Sequence, residues 1–445
     1  MEMIKPQLPS GFKDYLPEEM IQRNKILDTI RASFELFSFL PLETPEVERL
    51  EILTGGDPNF TKQIYLVKKS GNKEEDIAIA LRFDLTVALA RAYAQYRNEI
   101  GGLFKRYQLG RVFRGERPQK GRFNGFYQFD VDTVGSKEMT ADAEIVAVIY
   151  TTMKKLGVND FIIKINNRKI LNSLPEFAGF KNELNIDVLR AIDKLDKQSW
   201  EPISGELTTM GISTDAVAAI KKFLDISRGN EEALDMVFDL VKKSENAVQG
   251  IKELREIAEN LSALGVPKEN WIFDFSVARG LGYYTGPVFE TMLTKLPSIG
   301  SVCSGGRYDD LISKFSTISV PAVGTSIGVD RLFDALKELG MVKKEKSIAK
   351  ILVLNFENNP KARIYVQEIT SLLRANNIPT ELYLGKEKGM GGQLKYAEKL
   401  EMQYAIIAGM TEVEKNIIQF KDLTNRTQET IDKSEIIAKV RSVIS

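Results

Sequence analysis

The sequence predicts an α+β protein with a smaller α/β domain at its C-terminal end, and three observations carry that reading. The segment Lys105–Gly135 reads as a β-hairpin, because apolar residues recur on both sides of a turn (Val112, Phe113; Phe126, Phe129, Val131) as in half-buried strands. Residues 170–262 are helix-rich, with patterns such as Val217–Leu224 and Glu231–Val241, and lack the glycine-rich strand motifs that follow them. After a charged linker, Met341–Ser347, strand and helix patterns alternate, the mark of a compact α/β unit with its own core. At 445 residues the chain is long enough for two or three such cores. The expected domains are residues 1–340, with the insertion at about 170–262, and residues 347–445.

In chain order, Glu18–Phe39 is predicted to be an amphipathic helix, with Ile26, Leu27, Ile30, Phe34 and Phe37 three to four residues apart. Pro41–Leu53 reads as a strand that contains Pro45, which suits a sheet edge. Leu81–Thr86 leads into a helical run, Val87–Tyr96, with Asp84 or Thr86 placed to cap it. The hairpin follows. Between Lys105 and Arg122 it holds seven Lys or Arg and one acid, Glu116, in a chain of zero net charge. Arg114 and Glu116 flank one residue, so on a strand they share a face. A cationic loop with interleaved aromatics suits a polyanion that carries flat bases, such as ATP or the end of an RNA. From Phe273 onward come three glycine-rich stretches, Val277–Gly286, Ser301–Asp309 and Gly324–Leu332, the last reading as a strand that enters a helix. The final domain reads as strand Ile351–Asn355, helix Ala362–Ala375, strand Thr380–Leu384, helix Gln393–Leu400, strands Ala405–Ala408 and Ile417–Phe420, and helix Ser434–Ile444.

Composition removes whole classes of function. The chain has no histidine, so Ser-His and Cys-His nucleophiles and histidine metal sites are excluded. Its chemistry must rest on carboxylates, Arg, Lys, Tyr or bound metal ions. The single cysteine, Cys303, allows no internal disulfide and fits a reducing compartment; it reads as a small buried residue. No stretch approaches the roughly 18 apolar residues of a membrane span, and the N-terminal MEMIKPQLPSGFKDYLPEEM lacks an apolar secretory core. Neutral net charge confines any RNA contact to local patches.

Phe113-Arg114-x-Glu116, a loop, then Arg122-x-x-x-Phe126 resembles motif 2 of the class II aminoacyl-tRNA synthetases, and Tyr127–Asp132 resembles its histidyl-tRNA synthetase form. The remaining signatures occur in order along nearly the whole chain. Pro41–Leu53 resembles motif 1, the dimer-forming element; Val277–Gly286 and Ser301–Asp309 resemble the two histidine motifs, and Gly324–Leu332 resembles motif 3. The C-terminal domain is similar to the family's anticodon-binding domain. The resemblance implies a class II catalytic domain with an antiparallel sheet and a helical insertion, and a cytoplasmic homodimer away from membranes. Its activity would be ligation of histidine to histidine-specific tRNA, with ATP and Mg²⁺.

The resemblance also implies roles, residue by residue. Arg114 would bridge the α-phosphate and the substrate carboxylate, Arg279 would reach the α-phosphate from the other side, and Arg331 would grip the γ-phosphate. Glu116 and Phe126 would hold and stack the adenine. Asp84, Leu85, Thr86 and Gln128 would surround the α-amino group. Asp132, Tyr283, Tyr284 and Tyr308 would read the imidazole. No residue is assigned as a resident metal ligand. Arginine's planar, permanently charged fork suits the phosphate roles better than lysine. Carboxylate attack on a phosphorus needs alignment and positive charge, not proton removal, which fits a chain without histidine. Three positions depart from the family pattern: Gly282 stands where Asp is usual, and Gly115 and Tyr127 where many members carry His. The presence of Arg114, Arg279, Arg331 and the C-terminal domain separates the chain from non-catalytic paralogues.

Overall fold

The computed structural model describes residues 3–55, 63–71, 78–117, 123–196, 198–226, 229–278 and 283–444. Lys120, Arg122, Arg279 and Gly282 lie outside the described residues. The chain forms two units, one of Met1–Lys13 and Ile26–Met341, the other of Asp14–Lys25 and Val342–Ser445. The helix Pro17–Leu36 therefore contributes its first turns to the second unit, where Lys25 pairs with Glu345 at 2.6 Å.

The first unit is built on an eight-stranded sheet. Its strands in chain order are β1 (Leu40–Pro41), β2 (Phe104–Phe113), β3 (Gly125–Val134), β4 (Phe161–Asn167), β5 (Trp271–Phe273), β6 (Pro287–Leu293), β7 (Cys303–Arg307) and β8 (Ala322–Gly328). Across the sheet the order is β1-β2-β3-β8-β7-β6-β4-β5, antiparallel except at the two edge pairs. Helices of the insertion, among them Thr214–Leu224 and Glu231–Val241, leave the sheet after β4 and return at β5. Gly324–Leu332 is strand into helix, as its pattern predicts, with the helix Val329–Glu338 following β8 directly.

Pro41–Leu53 is not one strand. It divides into β1, a short strand Val47–Arg49 in a separate three-stranded sheet, and a helix, Leu50–Thr54. The prolines at 41 and 45 have no N–H to give a ladder, so pairing stops between them. Arg114 and Glu116 lie just beyond the end of β2, in the loop and not on the strand. Asn124 holds that loop, donating from Nδ2 to the carbonyls of Arg114 and Glu116, each at 2.8 Å.

In the second unit a five-stranded sheet has alternate residues packed on opposite faces. Ile351, Val353 and Ile406 join the helices Pro360–Ala375 and Ile436–Val443 on one side. Leu352, Leu354, Ala405 and Ile407 join the helix Met390–Lys399 on the other. Burial of both faces explains the unbroken apolar runs in these strands. Two elements are additional to the sequence expectation, the helix Met410–Lys415 and an edge strand Thr427–Asp432 that is almost wholly exposed. That strand has no apolar alternation to reveal it. Among the described residues no helix is long and apolar enough to cross a membrane.

Candidate active site

Register builds the floor of the site. The β2–β3 hairpin sets Arg106 opposite Asp132, and β8 sets Gly324 on the other side of Asp132, followed by Gly306 on β7. The two-residue period of β3 puts Gln128, Asp130 and Asp132 on one face, and all three are buried. Close approach explains the two glycines. A Cβ on Gly324 would lie 1.9 Å from Asp132 Oδ1, and one on Gly306 would lie 2.6 Å from the Pro287 carbonyl and 3.0 Å from the Tyr284 ring.

Over this floor lies a cavity of about 190 Å³ whose walls include Asp84, Thr86, Tyr283, Tyr284 and Tyr308, as well as the three β3 side chains and Arg114. Asp132 accepts from the Tyr308 hydroxyl and lies 2.8 Å from Arg106 Nη2. Asp84 caps the helix Thr86–Gln95 by accepting from the Val87 N–H at 3.0 Å, and it accepts from the Tyr283 hydroxyl at 3.4 Å. Thr86 opens that helix without capping it. Leu85 is wholly buried and lines neither this cavity nor its neighbour. Its carbonyl accepts from Arg106 at 3.4 Å, so its contribution is to place the loop.

Burial dominates the titration of the site. Asp84 is pushed up to about 6 by desolvation, against the pull of the Val87 N–H and Arg114. Asp130 and Asp132 are both raised by burial, while Arg106 draws both down. The phenols of Tyr283, Tyr284 and Tyr308 are driven upward by burial and stay neutral donors. Burial also takes the Cys303 thiol up to about 12, where it bonds Thr325 Oγ1 at 3.0 Å as a small buried group. Arg307, in the second glycine-rich motif, lines neither this cavity nor its neighbour and forms a buried pair with Asp142.

A second cavity, about 400 Å³, adjoins the first, and Arg114, Gln128, Ser304 and Ser326 line both. Glu116, Phe126 and Arg331, each expected at ATP, line it too, as does Arg117, which was expected at the tRNA acceptor stem. Arg114 donates from Nε to the Phe83 carbonyl at 3.0 Å and lies over the Phe126 ring, 5.2 Å from its centroid. Arg331, in the first turn of its helix, donates to the Ser301 carbonyl at 2.6 Å. Arg114 and Glu116 thus reach a common cavity although neither is on a strand.

Some residues of the site were not expected from the sequence. Asp193, Lys194 and Gln198 of the insertion also line the larger cavity, with Lys194 held by both Glu206 oxygens at 2.5 and 2.6 Å. Asp130 sits between two assigned positions on β3 and lines the smaller cavity. Its place follows from the strand period once Gln128 and Asp132 are fixed, so the alternation could have found it.

A family model described as histidyl-tRNA synthetase matches residues 11–332. The chain belongs to the histidyl-tRNA synthetase family. A second family model, an anticodon-binding domain, matches residues 350–443. A histidine–tRNA ligase of Clostridium tetani is 39% identical over 99% of both chains, and one of Wolinella succinogenes is 40% identical over 98% of both. The crystal structure of histidyl-tRNA synthetase from Nostoc sp. PCC 7120 superposes with a TM-score of 0.86 at 31% identity, covering 99% of this chain and 100% of that one. The activity is histidine–tRNA ligation: ATP activates histidine to histidyl-adenylate, and the histidyl group passes to the 3′ end of its tRNA. The expected class II fold with its anticodon-binding domain is the one observed.

Proposed function

We propose that the two adjoining cavities divide the substrates of this histidyl-tRNA synthetase, histidine in the smaller and ATP in the larger, with the reacting atoms meeting at Arg114. The supporting observation is that Arg114 and Gln128 line both cavities, so ligands filling the two would touch there. In the smaller cavity Asp132, held by Tyr308, accepts a ring N–H, and Tyr284 beside Tyr283 bonds the other ring nitrogen. Asp84, Thr86 and Gln128 surround the α-ammonium. In the larger cavity Glu116 and Phe126 hold adenine, and Arg331 takes the γ-phosphate. Arg279 is assigned to the α-phosphate by its motif alone.

The reaction needs no protein-borne base. A carboxylate oxygen of histidine attacks the α-phosphorus, the bond to the bridging oxygen breaks, and pyrophosphate leaves with the electron pair. Negative charge grows on the phosphate oxygens, so fixed guanidinium groups at the junction lower the barrier. Mg²⁺ bound to ATP would offset the charge of its phosphates. Among the described residues no group of three or more carboxylates is placed to hold the ion on the protein, so ATP would carry it.

Residues 347–445 read the anticodon, and the hairpin loop from Arg117 meets the acceptor end. The enzyme works as a cytoplasmic homodimer. The buried, solitary cysteine is compatible with a reducing compartment. Exposed Leu40, Val47, Leu66 and Leu103, on or beside strands of the motif 1 region, support a subunit contact there. Pyrophosphate exchange tests the division of the cavities. Arg331→Ala should raise the KM of ATP and spare that of histidine, and Asp132→Asn should do the reverse. Equal shifts of both constants in both variants would refute the division.

A further inference from the structure

The smaller cavity holds more acceptors than its own donors satisfy. Asp132 already accepts from Tyr308 and has Arg106 alongside. Asp84 already accepts from Val87 and Tyr283. Gln128 donates from Nε2 to Ser326 Oγ at 2.6 Å, which leaves the Ser326 proton to be given to Asp130. Gln128 Oε1 and Asp130 Oδ1 are among the buried oxygens that then remain without a hydrogen-bond partner.

Asp130 is only 2% exposed and lies between Gln128 and Asp132 along β3, on the cavity-facing side of the strand. Its charged neighbours are Arg106, which attracts it, and Asp132 and Asp84, which repel it. A buried carboxylate oxygen without a donor is costly. The chain keeps one at a site with three other carboxylates, Asp84, Asp132 and Glu290, which suits a ligand that brings its own positively polarised N–H groups. Histidine carries these at both ends, an ammonium and a ring N–H.

We propose that Asp130 is a further specificity-determining residue, a second β3 carboxylate that accepts a hydrogen bond from an N–H of the bound histidine. This rests on the assignment of the smaller cavity to histidine. Asp132 thereby shares the reading of the substrate with a residue two positions earlier, and Ser326 aims Asp130 from β8.

Pyrophosphate exchange by the full-length enzyme tests this with Asp130→Asn, a substitution of nearly equal shape, and Asp132→Asn as the reference. Asp130→Asn should raise the KM of histidine roughly 10- to 100-fold, the scale of losing one hydrogen bond to a charged group, and leave the KM of ATP within about twofold. A merely structural role would move both constants and the melting temperature together, and that result would overturn the proposal. A raised histidine KM in Asp132→Asn with none in Asp130→Asn would also overturn it while sparing the cavity assignment. No rise in either variant would remove the cavity assignment and the proposal with it. If the asparagine variant is unstable, Asp130→Ser is judged by the same criteria. Inhibition constants of 4-thiazolylalanine, whose ring has no N–H, separate the two donors. A penalty that persists with it assigns Asp130 to the ammonium, and one that vanishes assigns it to the ring.

Discussion

Arg114 is the one cationic side chain among the four described residues that line both cavities, and replacing it with lysine is the sharpest test of the chemistry. Its Nε is committed to the Phe83 carbonyl at 3.0 Å, and its plane rests on Phe126. The terminal nitrogens are then the ones that can turn to ligand at the junction of the cavities. Lysine keeps the charge but has one compact ammonium, which cannot hold the Phe83 carbonyl and reach a phosphate oxygen at the same time. Losing one positioned donor to developing charge costs about 2.7–4 kcal/mol, or roughly 10²–10³ in rate. Arg114→Lys should fall near the lower limit, since charge is retained, and Arg114→Ala at the upper limit or beyond. The measurement is single-turnover formation of histidyl-adenylate at saturating histidine and ATP, which isolates chemistry from tRNA binding and product release. A lysine variant that reacts within about threefold of the wild type would show that fork geometry at Arg114 does not matter, and the account of catalysis by alignment would be wrong.

Two further outcomes are expected. Burial raises Asp84 to about 6, so the ionised form that can hold an ammonium is present above that pH and is lost below it. Histidine's KM should therefore rise by up to about tenfold per pH unit below 6, after allowance for the substrate imidazole's own titration near ~6.5. Asp84→Asn should abolish that slope, and a flat wild-type profile would contradict the role given to Asp84. Deleting residues 342–445 should reduce tRNA charging far more than pyrophosphate exchange, with equal loss in a folded truncation counting against the domain roles. Because Asp14–Lys25 belongs to the same unit, that truncation should also melt earlier than the intact chain.

The grouping of the site residues was legible only through the family motifs that the sequence resembles, and periodicity alone did not supply it. Arg114, Glu116 and Phe126 were expected to share one site, and they line one cavity. So were Asp84, Gln128, Asp132 and the tyrosines, which line the other. What depends on lateral register was not legible. Nothing in the sequence says that Arg106 lies under Asp132, or that Arg307 is withdrawn to pair with Asp142. Lys194 reaches the larger cavity only because the insertion folds back, and its local pattern is that of any solvated helix end. The motif 1 segment misled for a local reason. Its apolar residues suggest a strand, but two prolines prevent continuous pairing, and the chain changes sheet between them.

The two glycines beneath the smaller cavity set a limit on how its selectivity can change. Gly306 and Gly324 already contribute the least that any residue can, and the space above them is bounded by main chain, Asp132 and Tyr284. Every substitution at either position adds atoms, so mutation of the floor can only make the pocket shallower. Admission of a bulkier amino acid has to come from the walls, and there Asp132 is tied to Tyr308 and Arg106, and Tyr284 to Tyr283. A single change in a wall residue therefore disturbs recognition of the present substrate before it makes room for another. The route from histidine toward a larger substrate begins with a loss, and this obstructs drift in specificity without any separate proofreading step.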